Sequence, residues 1–416
     1  MNGAFSIALS SLQGNQDAIS ATGQNLANIN TTGYKGNFVE FRDLVAQSAS
    51  AMPGTEQGLG VTKPVVQTIF SDGSIASSSS SYAAAIQGDG FFVVKGATDG
   101  KQLYTRDGNF TIDRDGYLRT LSGEAVQGWN ESNAVLNTTG AQPTDVRVAS
   151  NSTAPPSPTA NMSFTANLNA ASTTPPGNTE LTVPMTIFDS LGTQHTLQVN
   201  FTKTATAGSW NYSVSIPASD LSSGTGSLVT GSVTFNPNGT LATPTVPVSI
   251  PISNFKDGAS NQTVTWALYD NSSPANGKIT QFAQGSQYDN STQDGVGAGN
   301  VTKVAMGPGG QVIASFSNGQ TRAVSQVALA KFVNTDSLIG VGNNNFSAST
   351  LSSLPSIGTA GSKGIGQVIS NALEGSNVDV ATQFTNLITY QRGYQASSKV
   401  ITTADQMLDE IMQVIR

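Results

Sequence analysis

The chain has no cysteine and a single histidine, His195. Disulfides, thiolate catalysis and Cys-based zinc or iron–sulfur sites are thereby excluded, and one imidazole by itself makes neither a triad nor a zinc site. Charge is also scarce: 11% of residues are charged, against about 25% in an ordinary soluble protein. With a net charge of −7 and no cluster of Lys and Arg, the electrostatic footprint that phosphate backbones demand is missing, so nucleic acid is not an expected partner. No run approaches the roughly 18 apolar residues of a membrane span. The start Met1-Asn2-Gly3-Ala4-Phe5-Ser6 lacks a basic n-region, and Asn15, Gln16 and Asp17 interrupt any apolar h-region. Neither membrane insertion nor a cleaved signal peptide is expected, and a location outside the cell would require another export route.

What is plentiful is Gly, Ser, Thr and Asn. The 416 residues include 43 glycines and 17 prolines, which favours short strands and turns in the middle of a chain long enough for two or three domains. The ends differ. An alternating spacing of three and four selects Phe5, Ala8, Leu12, Asn15, Ile19, Thr22, Leu26 and Ile29, one stripe of a helix. The same spacing runs through Phe384, Leu387, Gln391, Tyr394, Ser398, Ile401, Asp405, Leu408, Met412 and Ile415. Ser376-Asn377-Val378-Asp379 supplies a capping-box-like start for this second helix, which would reach about 50 Å. Its column Leu387, Tyr394, Ile401, Leu408, Ile415 is apolar or aromatic, while Gln391, Ser398 and Asp405 fill most of the neighbouring one. A helix of this kind gains little from one partner and more from several, which favours polymerisation.

The segment Asn25-Leu26-Ala27-Asn28-Ile29-Asn30-Thr31-Thr32-Gly33-Tyr34-Lys35 resembles the N-terminal signature of the flagellar rod and hook axial proteins. Ala372 to Asp379, followed by Gln391-Arg392-Gly393-Tyr394-Gln395-Ala396, resembles their C-terminal signature. Gln87 to Val94, Tyr104 to Phe110 and Asn334 to Phe346 extend the likeness to about residues 1–145 and 285–416, with Ser337 departing from a commoner glycine. The resemblance implies a mainly β, α+β multidomain chain whose helical termini pair as a coiled coil near the axis of a hollow tube, with nested antiparallel β domains outside. It further implies export through the flagellum's own channel to an extracellular position at the hook, and as partners copies of itself, the rod, the hook cap, the hook–filament junction proteins and the export apparatus. Rod subunits lack a large central insertion; this chain has one, so the resemblance points to the hook, a curved tube transmitting torque. The implied polymerisation interface comprises Phe5, Leu12, Ile19, Leu26, Asn28, Gly33 and Tyr34 with Phe384, Leu387, Tyr394, Ile401, Leu408, Met412 and Ile415. A distal rod or hook-associated junction protein is the nearest alternative, and a secreted β-rich adhesin a more distant one.

The domain expectation is then a terminal helical layer (1–30 plus 375–416), connecting segments (31–70 plus 351–374), an inner β domain (71–145 plus 285–350) and an inserted outer β domain (146–284). The insertion holds 12 of the 17 prolines and only nine charged residues. Within it His195, Leu197, Val199 and Phe201 alternate with polar residues, as do Trp210, Tyr212, Val214 and Ile216, which reads as a half-buried antiparallel sheet or barrel. Pro155 to Pro158 and Pro175 to Pro176 read as extended connectors, and Asp107-Gly108 and Asp115-Gly116 as hairpin turns.

No catalytic site, cofactor or metal is expected. His195 shares an apolar face and reads as structural. Asp113-Arg114-Asp115-Gly116 lacks the twelve-residue calcium-loop pattern and its closing Glu. Thr359 to Gly366 is glycine-rich but follows no buried strand, so it reads as a flexible lead into the C-terminal helix rather than a dinucleotide loop.

Overall fold

Two helices occupy the chain ends, α1 (Asn2–Ala27) and α2 (Val380–Val414), and the described residues between them form strands, turns and short 3-10 helices. The computed structural model describes residues 2–46, 57–132, 135–138, 141–148, 153–173, 175–270, 277–349 and 354–414. The chain forms two units: Met1–Ser150 with Lys303–Ala314 and Arg322–Arg416, and Asn151–Thr302 with Ser315–Thr321.

In the first unit α1 stops at Ala27, before the Ile29 that the apolar spacing placed on its stripe. Asn28 turns the chain there: its side-chain amide donates to the Gln24 carbonyl and its carbonyl oxygen Oδ1 accepts from Thr31. Of the expected capping segment, Asp379 is the working cap, its carboxylate accepting from the Thr382 amide at 2.8 Å. From there α2 runs 35 residues, about 52 Å. The stretch after α1 is built from paired strands, Asn37–Glu40 with Val65–Thr68 and Asp43–Ala46 with Gln57–Val61.

The large sheet of this unit interleaves distant parts of the chain. Ala125–Ser132 pairs with Thr321–Val327, Phe91–Lys95 with Leu329–Lys331, and Gln102–Thr105 with Asn345–Ala348. Phe91, Tyr104, Trp129, Phe332 and Phe346 fill its core, mostly edge to face, with Tyr104 and Phe332 centroids 4.7 Å apart. Asp115-Gly116 closes the hairpin between Phe110–Ile112 and Leu118–Thr120, with Gly116 at φ 82°, and Asp113 there accepts from the amides of Asp115 and Tyr117. Asp107-Gly108 makes no such turn. Gly108 is needed for close approach: its carbonyl accepts from the Ala84 amide at 3.0 Å, and a Cβ on it would overlap the Ala84 carbonyl oxygen. Nor is Thr359–Gly366 a flexible lead. It is a hydrogen-bonded turn, Gly361 and Gly364 taking positive φ, between the strands Ser356–Gly358 and Gln367–Ser370.

The second unit is a sandwich. One sheet is an antiparallel meander of Thr179–Phe188, Gln194–Lys203, Ser209–Ser215, Ser227–Phe235 and Leu241–Thr243. Period-two alternation puts Leu197, Val199, Phe201, Trp210, Tyr212 and Val214 inside. The facing sheet departs from the all-antiparallel expectation: Asn161–Asn167 runs parallel to Gln262–Trp266 and to Ile279–Thr280. These strands are far apart in sequence, so no short hairpin dictates their sense. Trp266 stacks on Phe164 at 5.1 Å between the sheets. Pro184 and Pro251 lie on the edge strands Thr179–Phe188 and Val248–Ile252, where a missing N–H is tolerated.

Two glycine substitutions should therefore have opposite signs in calorimetry. Gly108→Ala should destabilise the first unit by about 3 kcal/mol, whereas Gly23→Ala, on an open helix surface with nothing within 4 Å of the new methyl, should stabilise it by about 0.5–1 kcal/mol.

Candidate assembly site

The two signature segments meet in space, at a buried ionic knot. Lys35, just beyond the Gly33 turn, places its ammonium 2.6 Å from Glu374 Oε1, and both side chains are fully buried. Arg106, from the turn after Gln102–Thr105, reaches Glu374 Oε2 at 3.1 Å and Asp72 at 3.2 Å. Further bonds surround the trio: Lys35 donates to the Ser71 carbonyl, the Gly73 amide donates to Glu374, and Arg106 donates to the Gly88 carbonyl, while Arg106 Nε is buried without a partner. Burial pulls the Lys35 ammonium below its ordinary pKa, with the Glu374 carboxylate opposing.

Backbone contacts tighten the knot. The Gly33 amide donates to the Glu374 carbonyl at 2.8 Å. Gly33 sits at φ 65°, and a Cβ there would come 2.6 Å from the Arg106–Asp107 peptide, so no other residue fits. Asn377 Oδ1 accepts from the Gly36 amide and its Nδ2 donates to the Ile69 carbonyl. Asn25 on α1 exchanges bonds with the Asn37 backbone in both directions. Asn28, Gly33 and Tyr34, assigned to the polymer interface from the signature, thus make their visible contacts within the chain; the Tyr34 hydroxyl donates to Asn25 Oδ1.

From the knot, α1 and α2 run side by side in opposite directions. Asn25 bonds Gln383, Asn15 faces Gly393, and the Ser11 and Ser397 hydroxyls lie 2.9 Å apart. A Cβ on Gly393 would meet Asn15 Oδ1 at 2.7 Å. Ala18, Ala21 and Val39 form a small core with Tyr390. The contact is one of small and polar residues, displaced on α2 by about one position from the large apolar column. Leu12, Ile19, Leu26, Leu387 and Ile401 are half-buried, and Phe5, Phe384 and Tyr394 are exposed. Leu408 and Met412 lie on α2 but their side chains, like all of Ile415, fall outside the described residues.

Lys35, Arg106 and Glu374 were not singled out from sequence as site residues. The available signal was a trio of charges inside signature segments of a charge-poor chain. Replacing Glu374 with Gln should cost the first unit about 3–5 kcal/mol, because Lys35 is left buried without a counter-charge. Calorimetry of the full chain should show that loss with the transition of the second unit unmoved.

Four family models match successive parts of the chain: "Flagella basal body rod protein" over residues 5–35, "Flagellar hook protein FlgE/F/G D1 domain" over 85–174, "Flagellar basal body protein FlaE D2 domain" over 151–296 and "Flagellar basal body rod FlgEFG protein C-terminal" over 369–414. The flagellar hook protein FlgE of Treponema pallidum is 31% identical and that of Borreliella burgdorferi 32% identical, each match covering 98% of this chain and 98% of the relative. Among solved structures, Helicobacter pylori flagellar hook protein FlgE2 matches 70% of this chain and 98% of its own at 14% identity and a TM-score of 0.45. With relatives above 30% identity aligned along nearly their whole length, the chain belongs to the flagellar hook protein family.

Proposed function

We propose that this structural subunit of the hook polymerises through its terminal layer, the large apolar residues of α1 and α2 pairing as a coiled coil with those of neighbouring copies around an axial channel. The resulting curved tube transmits torque from rod to filament. The observation that carries the reading is where apolar surface is left open. In the second unit Phe164, Phe201, Trp210 and Trp266 are inside while Phe282 and Tyr288 stay exposed; in the first, Phe5, Phe38, Phe41, Val66, Phe384 and Ile388 are each more than a third exposed along the helices and the adjoining segment. An open patch of this kind marks an association surface, and each such side chain is worth about 1.5–3 kcal/mol once covered.

Family membership supports export through the flagellar channel without a cleaved signal, an extracellular position, and contacts with rod, cap and hook–filament junction proteins. The role is mechanical rather than enzymatic.

Phe384→Asp and Tyr394→Asp test the layer directly, because both residues are exposed in the single chain and their loss does not disturb its core. Monomers should keep their circular dichroism and melting transitions, while sedimentation after induced polymerisation should find almost no polymer, since an unpaired carboxylate in a covered contact costs several kcal/mol in every copy. Tubes of normal yield from both variants would remove the terminal layer as the axial contact.

A further inference from the structure

The one histidine of the chain lies among carboxylates from three different turns of the second unit. His195 is buried on the strand Gln194–Lys203, its Nε2 3.0 Å from Asp189 Oδ2 and its Nδ1 3.1 Å from Asp220 Oδ2. Asp189 comes from the turn before the strand, and its other oxygen accepts from the amides of Leu191 and Thr193. Asp220 comes from the 3-10 turn Ala218–Asp220. Asp257, from the turn after Val248–Ile252, brings a carboxylate oxygen within 4.8 Å of Asp189 and His195. The Phe255 ring covers the imidazole at 4.9 Å, and the strand paired on the other side presents Ile187. Among the described residues, the titratable groups gathered at His195 are Asp189, Asp220 and Asp257, all acids.

A neutral imidazole has one N–H and one lone pair. Set between two carboxylates at these distances, it would turn its lone pair on an anionic oxygen, whereas the imidazolium donates to both. We infer that His195 is held as an imidazolium at neutral pH and works as a pH-sensitive latch, clasping the turn Ala218–Asp220 to the turn at 189–193. On deprotonation the partner given up is Asp220: Asp189 is anchored by two amides, while the Asp220 side chain is partly exposed. The Ala218–Asp220 turn then keeps the Lys256 amide on the Asp220 carbonyl, the bridge of Leu221 to Phe255 and the packing of Leu221 on the core.

The direction of titration agrees. Burial works to lower the His195 pKa, but the bonds to Asp189 and Asp220 outweigh it and the net displacement is upward from 6.5. Asp189 is displaced downward from 3.8, its burial outweighed by bonds from Asp257, His195 and the two amides. The raised His contributes stability that is complete below 6.5 and is lost as pH rises through its folded value. The depressed Asp contributes stability present above 3.8 and lost as pH falls through its folded value. Together these two groups favour the folded second unit in mild acid and support it less toward alkaline pH.

Because there is only one imidazole, nitrogen-15 labelling of histidine in the full-length monomer gives a single pair of ring signals to follow against pH. Both nitrogens should be protonated at pH 7, and Asp220→Asn should lower the midpoint of their titration. The calorimetric transition of the second unit should fall as pH rises through it, each unit of displacement amounting to about a tenfold change in the folded-to-unfolded ratio. His195→Gln should abolish that pH dependence, and if the variant does not fold, the titration of the unaltered chain decides. A neutral ring at pH 7, a midpoint at or below 6.5, or a second-unit transition indifferent to the titration would overturn the latch. So would ring signals moved by zinc after chelator treatment, which would make a metal rather than a proton the positive charge between the acids.

Discussion

Everything at the two chain ends depends on the contact of Lys35 with Glu374, seconded by Arg106. The two residues are more than 300 positions apart, yet their side chains are excluded from water and 2.6 Å from one another. A buried pair of this kind need not add net stability, since desolvation takes back much of the Coulombic gain. What it adds is uniqueness. An apolar plug at the same place could pack in several registers; a carboxylate with two cations, a backbone amide and a glycine that tolerates no Cβ can be satisfied in one. The end of α1 and the start of α2 are thereby fixed side by side, and the antiparallel register of the helices follows from that fixed point.

The division of labour between small and large residues along those helices follows in turn. The contact within the chain is made by Ser11, Asn15, Ala18, Gly393 and Ser397, which let two backbones approach closely while burying little apolar area. Had the chain spent Phe5, Phe384 and Tyr394 on itself, less apolar surface would be left open beside the pair. Weak pairing inside the chain and open apolar surface beside it are one arrangement.

The legible parts of the fold were those written in local periodicity. The alternation through 195–201 and 210–214 identified the buried face of the second unit residue by residue, because the strand period of two is set by the backbone and leaves one face for the core. The two terminal helices were legible for the same reason. The seam was harder: a spacing of three and four marks where apolar side chains want burial but not which partner supplies it, and here the intrachain contact lies about one position around α2, on residues too small to stand out. The parallel strands of the second sandwich sheet were invisible because strands brought together across a hundred residues leave no turn signature. Gly108 was misread as a turn because an Asp-Gly pair serves a positive φ and a close backbone approach equally well.

His195 shows where sequence reading stops for a different reason. Its place on an apolar face was correct, but the three carboxylates around it come from turns separated by 31 to 68 positions in the chain for Asp189, Asp220 and Asp257, and only the closed sandwich brings them to one point. In a chain with so few charges, such a cluster stands out against its surroundings. The second unit has a core of Trp210, Trp266, Phe164 and Phe201. Its sensitivity to conditions is concentrated in a polar clasp instead. The first unit has the reverse character: Lys35 and Glu374 are sealed from water, and large apolar side chains along its helices are not.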